Sequence, residues 1–416
     1  MKTRYTLHVS WILLLATLAC SCGSGGKQRH VFDQYTEDGV QISQTRGGPK
    51  FNGEIFDYEY LRTLNEDPLI EDSLLDEPSW FAMDRNGWCY LPHNHDKRIQ
   101  VFDSSGNYVR SIGRAGEGPG EFTYPKLQYL TGDTLSIFDP PQQRTTLYRT
   151  DGTLLGVMRT PSNVGYLDSM YGSSDGAIIG INSTGNIEGS SWQEGIELLI
   201  FSSSGDTLAS RQSMLVETGY PIETNGPIRS GLAYDYAPDP SAAVDISGNR
   251  VLLNSGDEPL VQWYSMDGCL LEEVILGDRL EPLTRSMLRS EFTEWAKTSD
   301  RLPEDIAAAR RSITDRPIRS HKAFSIRTIV DQGYIWLVKP QSALPRSVSR
   351  VCRIVSPEGE YIGDTTWPLK VHFNYANVMH GHFICMDNDD ETGEQSAVVY
   401  RVHPKVEGLI YIGISR

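Results

Sequence analysis

Arg98-Ile99-Gln100-Val101-Phe102-Asp103-Ser104-Ser105-Gly106, followed by Tyr108-Val109-Arg110-Ser111-Ile112, decides the fold. Side chains alternate up to an aromatic residue, three polar residues follow, then a glycine, then a second short run. Alternation is the period of a half-buried strand. The glycine supplies the positive φ that a tight turn between two strands requires. The stretch is therefore a hairpin. The same spacing returns as Tyr148 to Gly152, Phe201 to Gly205 and Tyr264 to Gly268, and as Val355 to Gly359 with an aliphatic residue in the aromatic place. Recurrence at constant internal spacing is the signature of a repeat architecture.

Upstream of each hairpin lies another turn with apolar flanks. Asp84-Arg85-Asn86-Gly87 precedes Trp88-Cys89-Tyr90-Leu91, Asp245-Ile246-Ser247-Gly248 precedes Arg250-Val251-Leu252-Leu253, and Asp331-Gln332-Gly333 precedes Ile335-Trp336-Leu337. Weaker copies stand at Thr131-Gly132-Asp133, Ser174-Asp175-Gly176 and His380-Gly381. Two successive hairpins make a four-stranded meander, and the chain holds six, with innermost strands starting near residues 79, 127, 168, 241, 323 and 376. One such sheet cannot bury both faces, whereas six arranged radially pack face to face. The expected fold is an all-β, six-bladed β-propeller over residues 51–416. The sixth copy departs from the pattern, reading Tyr400-Arg401-Val402-His403-Pro404 before Gly408, and Leu409 to Ile414 is expected to supply its outer strand.

The first repeat and its continuation, Ile112-Gly113-Arg114-Ala115-Gly116-Glu117-Gly118-Pro119-Gly120-Glu121-Phe122, resemble the NHL-type blade. They resemble in particular the six-bladed, TolB-like propeller lipoproteins of Bacteroides and its relatives. The resemblance implies a fold and an address more than a chemistry.

The address is also written at the N-terminus. Lys2 and Arg4 precede an apolar run from Leu7 to Ala19, then Cys20-Ser21-Cys22 and Gly23-Ser24-Gly25-Gly26. A basic start, a short apolar core and small residues before a cleavage point make a secretory signal, here residues 1–22. The run is shorter than the ~20 residues of a spanning helix. Small residues ending in cysteine resemble the lipobox of bacterial lipoproteins, with Cys20 or Cys22 as the lipidated residue. Residues 23–50, polar and glycine-rich, are expected to form a flexible tether. The expected location is the cell envelope, lipid-anchored at the outer membrane and facing the periplasm or the outside, with membrane contact through the N-terminal lipid only.

Composition narrows the function. The 416 residues are 39% hydrophobic and 22% charged, the make-up of a folded protein. Lys+Arg of 38 against Asp+Glu of 54 gives a formal charge of −16, which sets nucleic acid aside. Four further cysteines, Cys89, Cys269, Cys352 and Cys385, sit singly in apolar segments; export permits disulfides, and the wide spacing favours buried thiols.

Several motifs invite a chemical reading. The glycines of residues 113–120 lack the following helix and the closing Lys of a phosphate loop, so they read as an interblade connector. His93-Asn94-His95 and His380-Gly381-His382 each have a spacing that can present two imidazoles to one metal, but the repeat puts the two pairs at opposite ends of the blades. The carboxylate-rich residues 387–394 do not follow the calcium-loop pattern and read as a solvated tip. No catalytic set, resident metal or cofactor is expected.

The insertions carry more information. Residues 213–240 separate repeats three and four, and residues 279–321 separate repeats four and five; the latter carries Leu283, Met287, Leu288, Phe292, Trp295 and Ala296 at helical spacing, so a short helical insertion is expected between blades four and five. Both insertions emerge at one face of the ring, where loops on a rigid scaffold usually bind. Trp192, Tyr220, Tyr234, Asp235, Tyr236 and Trp295 are the candidate ligand-binding residues of that face. The expected function is a binding or scaffolding propeller engaging a protein or glycan there. The alternative is a metal-dependent hydrolase or lyase, lactonase-like or sugar-lyase-like, with its site in the central channel; the innermost strands, such as Trp80-Phe81-Ala82-Met83 and Leu127-Gln128-Tyr129-Leu130, offer it few metal-binding oxygens.

Overall fold

The structure is a computed structural model; it describes residues 29–65, 75, 80–162, 164–172, 178–188, 191–201, 208–221, 231–233, 240–245, 249–277, 280, 282–298, 303, 306–307, 310–311, 324–325, 327–340, 349–369, 376–388 and 395–411. Six antiparallel sheets form the six blades of a propeller. Their innermost strands are Ala82–Met83, Lys126–Thr131, Ser169–Gly172, Ser241–Asp245, Arg327–Asp331 and Ala376–Met379, close to the starts expected from the repeat. Blade two shows the pattern, with Lys126–Thr131, Thr134–Asp139, Arg144–Arg149 and Leu154–Arg159 paired in sequence order.

The repeated aromatic-to-glycine segment is the third-to-fourth-strand hairpin. Gly106, Gly152, Gly268 and Gly359 have φ of 92°, 92°, 88° and 83°. Each donates its N–H to the carbonyl three residues back, as from Gly106 N to Asp103 O at 3.0 Å. The ladder shifts register at the residue opening the motif, between Val101 and Phe102, Leu147 and Tyr148, Ile200 and Phe201, Trp263 and Tyr264, and Ile354 and Val355. A bulge strengthens the local twist of the strand; the motif's first side chain is buried at Phe102, Tyr148, Phe201 and Val355 and half-buried at Tyr264.

Blade-to-blade packing supplies the core. Among the described residues one buried apolar cluster lies between each neighbouring pair of blades: Phe122 and Tyr148 with Val101 between one and two, Phe138 and Phe201 between two and three, Ile200 with Val251 between three and four, Trp263 with Ile335 between four and five, Trp336 with Phe383 between five and six, and Ile384 with Phe102 between six and one. The ring is closed. One helix, Arg285–Thr298, stands between blades four and five as expected, burying Leu288 and Phe292 at a spacing of four, which places both on one face. No described helix is long and apolar enough to cross a membrane.

Closure is made differently from the expectation. The outer strand of blade six is Phe56–Leu64, from the N-terminal side, paired antiparallel with Gln395–Pro404. The described part of Leu409 to Ile414 forms no strand. Even so, the ladder shifts between Val399 and Tyr400, where the other blades carry their bulge. Phe56 stacks on Trp336 at 5.1 Å between ring centroids and packs on Tyr411 at 4.9 Å.

Residues expected to belong to a flexible tether are structured as well. Val31–Glu37 and Val40–Arg46 pair with each other, and Val40–Arg46 adds parallel to the outer strand of blade four, Leu270–Gly277. Lys50, Phe51 and Ile55 then donate backbone N–H groups to Tyr361, Ile362 and Asp364 on the outer edge of blade five. The segment from Val31 to Leu64 is a belt around the rims of blades four, five and six. Its buried faces repay the ordering entropy that an open tether would have kept. The expected signal residues 1–22 lie outside the described residues.

The glycine-rich string after blade one is a connector. Arg114–Ala115 and Glu121–Phe122 form a short parallel pair. Arg144 of blade two, 2% exposed, donates from Nη1 to Glu117 O at 2.7 Å and from Nη2 to Gly118 O at 2.7 Å, and also to Glu121 O. Tyr148 Oη donates to Gly120 O at 2.8 Å. The glycines are there for close approach: a Cβ on Gly113 would lie 2.2 Å from the Phe122 ring. The loop's carbonyls face a buried cation, the opposite polarity to a phosphate cradle. Cys89, Cys352 and Cys385 are buried free thiols, and Cys269 is an exposed one; burial pushes the Cys89 thiol up to about 11.

Candidate functional site

The innermost strands surround a central channel of about 920 Å³. Its lining begins, at the strand starts, with Trp80, Lys126, Asp168, Ser241, Arg327 and Asn377, and ends at the turns with Asp84, Asp245, Asp331 and His380. Antiparallel topology puts the strand starts at the same end as the second-to-third-strand loops and the helical insertion.

The turn end is self-satisfied. Asp84 Oδ1 accepts from Asn86 N at 2.8 Å and Trp88 N at 2.9 Å. Asp245 pairs with Arg250 at 3.2 Å. Asp331 accepts from His380 N at 2.7 Å, Gly381 N at 2.9 Å and the buried Tyr411 hydroxyl, tying blade six to blade five. Burial, followed by the Asp331 charge, raises the Tyr411 hydroxyl well above its ordinary value. The wall of blades four and five is stitched in the same way: Asn254 Nδ2 donates to Ser325 Oγ at 2.6 Å and to Thr328 Oγ1 at 2.9 Å, and Thr328 Oγ1 lies 2.9 Å from Ser241 Oγ.

The wall of blades one to three differs. Trp80 is 43% exposed and has a φ of 68°, a left-handed conformation that is costly for a bulky side chain. Lys126 Nζ stands 6.0 Å from its ring centroid. Burial holds the Lys126 ammonium below its ordinary value, opposed by the charge of Asp168. Asp168 itself is committed to blade three, accepting from Ser183 N at 2.5 Å. Gln128 is the extra residue of a bulge between the pairs Leu127–Ile137 and Tyr129–Ser136. The other five innermost strand pairs run without such a shift. A bulge re-aims a side chain, and Gln128 Oε1 is buried with no hydrogen-bond partner among the described residues. Tyr129 stacks on Tyr171 at 6.2 Å and donates to Gly172 O at 3.3 Å; burial pushes Tyr171 up to about 12.

Of the expected ligand residues, Trp192 and Tyr220 are brought together by backbone pairing. Trp192 lies opposite Gly219 in the long extension of blade three, whose strands Ile178–Glu188, Ser191–Phe201 and Leu208–Pro221 project at the strand-start end. Trp295 lies in the helix Arg285–Thr298. Tyr234, Asp235 and Tyr236 fall outside the described residues. Trp80, Lys126 and Gln128 were not singled out by the sequence.

The histidine pairs are separate. His93 ends the second strand of blade one and His382 begins the second strand of blade six, so they stand at opposite ends. His93 Nδ1 accepts from Asp96 N at 3.1 Å, and His382 Nδ1 contacts His380 O at 2.9 Å. Among the described residues no three His, Cys, Asp or Glu side chains are placed to hold one metal ion. Of the acidic segment 387–394, Asp387 and Asn388 end a strand and the rest lies outside the described residues.

Residues 72–172 match the model of the family DUF5128, described as a 6-bladed beta-propeller. No curated protein matches the chain. Among solved structures, a protein of Bacteroides fragilis described as exported aligns at 12% identity and a TM-score of 0.50, covering 88% of this chain and 100% of that one. A member of the DUF4221 family from Bacteroides vulgatus aligns at 10% identity and a TM-score of 0.47, covering 84% and 99%. The chain is thus a six-bladed β-propeller whose fold is similar to that of a Bacteroides fragilis protein described as exported.

Proposed function

We propose that this protein is a lipid-anchored, extracytoplasmic binding propeller whose ligand is a glycan seated at the strand-start mouth of the channel. The observation that carries this reading is Trp80, held at φ 68° with 43% of its surface exposed beside part-buried polar groups. Backbone strain and an exposed indole are two costs borne at one position. Such costs cluster where function needs them, and an aromatic face with polar neighbours suits a sugar ring, whose C–H groups stack while its hydroxyls hydrogen-bond. The hydrolase or lyase alternative lacks comparable support, because Asp84, Asp245 and Asp331 are already engaged in turns and blade contacts.

The export signal and Cys20 or Cys22 supply the anchor in this reading. Val31 lies in a paired strand of the body, so the chain from the lipidated cysteine to that strand reaches no more than about 40 Å. The belt on blade four then lies near the bilayer.

Glycan-array binding of the mature protein, followed by titration calorimetry, tests the ligand. A hit whose affinity falls at least tenfold in Trp80→Ala is expected; a silent array, or a variant that binds like the parent, refutes the reading. Cys20→Ala and Cys22→Ala, followed by detergent-phase partitioning, test the anchor: one of them is expected to move the protein to the aqueous phase.

A further inference from the structure

We infer that the glycan carries a carboxylate: a sugar acid whose ring lies on Trp80, whose carboxylate meets Lys126 Nζ and one of whose hydroxyls donates to Gln128 Oε1. This inference rests on the glycan reading above and names its chemical class.

Three observations converge on it. Lys126 is a part-buried ammonium on the channel wall, beside the Trp80 face and within reach of the more distant charge of Asp168; among the described residues it has no hydrogen bond and no ion pair within 4.0 Å. A partly desolvated cation without a paired anion is unfavourable, and an incoming anion relieves it. The Asp168 carboxylate accepts from Ser183 N and forms no ion pair with Lys126 within 4.0 Å, so it offsets the ammonium only in part. Gln128, the residue inserted by the single bulge among the innermost strand pairs, has a buried Oε1 with no hydrogen-bond partner among the described residues. A donor for it must come from a ligand or from water.

The charge balance selects the anion. One ammonium, partly offset by the more distant Asp168, accommodates at most a single negative charge. Phosphate dianions are held by several guanidinium or backbone N–H donors, and the Trp80–Lys126–Gln128 cluster offers a single cation. The aromatic face beside that cation demands an apolar or C–H-rich surface on the same molecule. A carboxylated pyranose has both within one ring.

The probes are tri-galacturonic acid and its methyl ester, in which each carboxylate charge is replaced by a neutral ester carrying a methyl group, titrated against the full mature protein and against Lys126→Met, Gln128→Leu and Trp80→Ala. The parent is expected to bind the acid at least tenfold more tightly than the ester, as for one charge-assisted contact. In Lys126→Met the two affinities converge to within about twofold; Gln128→Leu weakens both, and so does Trp80→Ala. Equal affinity for acid and ester in the parent, or a preference that survives Lys126→Met, overturns the inference. It is also overturned if neither probe binds. In any of these cases a neutral glycan hit that depends on Trp80 leaves the broader reading standing, whereas a silent array removes both. Thermal midpoints of the variants within a few degrees of the parent confirm that they are folded.

Discussion

Replacing Arg144 by methionine tests whether the glycine-rich string is a structural clasp. Methionine keeps most of the stem's volume and removes the guanidinium, so the three carbonyls of Glu117, Gly118 and Glu121 lose their shared donor. Each buried acceptor left unpaired costs about 1–3 kcal/mol. Glu117 is exposed and Gly118 part-buried, so water replaces part of what is lost there. The expected loss is therefore about 2–4 kcal/mol, not the full threefold sum. Urea denaturation reads it as a lower midpoint at unchanged slope, and amide exchange should rise first at residues 116–122. Arg144→Lys should recover less than half, because a single ammonium cannot span three acceptors set for a planar fork. A loss under about 1 kcal/mol in Arg144→Met, or unchanged exchange in the loop, would refute the clasp.

Three further outcomes follow from the geometry. Phe56→Ala, at a side chain 2% exposed and stacked on Trp336, should cost about 3–5 kcal/mol and expose Gln395–Pro404 to proteolysis; resistance equal to the parent would contradict closure by the N-terminal strand. His382 is buried, which holds its imidazole below the ordinary value near 6.5 against the pull of the His380 carbonyl. The unfolded chain then binds the proton more readily, so stability should fall as pH drops below about 6.5, and His382→Gln should flatten the slope between pH 7 and 5. Burial raises the Glu360 carboxyl, but hydrogen bonds from Lys50 and His30 outweigh it and hold the group below its ordinary value. That clasp on the belt is complete above the unfolded carboxyl range near 4.3 and is lost as pH falls through the lower folded value; amide exchange at residues 31–46 should accelerate there, and Glu360→Gln should show the faster exchange already at pH 7.

What the sequence reveals here follows from what repeats. Phe102, Tyr148, Tyr264 and Val355 each open a turn whose geometry is local, so spacing alone exposes the blades and their count. The closing strand Phe56–Leu64 alternates less cleanly, with Tyr58, Tyr60 and Leu61 all partly or wholly exposed, and its partner lies at the far end of the chain. Pairing of that kind leaves no local mark. Val31–Glu37 is mostly exposed, so its composition reads as a tether although the chain is extended and paired. Trp192 and Tyr220 read as loop aromatics in the sequence and lie in the paired strands Ser191–Phe201 and Leu208–Pro221. Lys126 and Gln128 are ordinary polar residues in sequence and gain meaning only through a bulge and a neighbour from another blade. Trp80 reads as the start of an apolar strand; its positive φ is visible only in the folded chain.

The belt also imposes an order of events on the newly made chain. Phe56–Leu64 leaves the ribosome before any blade exists, and its mate Gln395–Pro404 is among the last segments synthesised. Bringing ends this far apart together costs about 5 kcal/mol of chain entropy beyond a constant, recovered only when Phe56, Trp336 and Tyr411 meet. Until then five assembled wedges present two raw flanks with nothing between them, one of them rich in unfilled aromatic space. That unfinished gap is where a chaperone would grip, and where two half-made molecules would exchange strands.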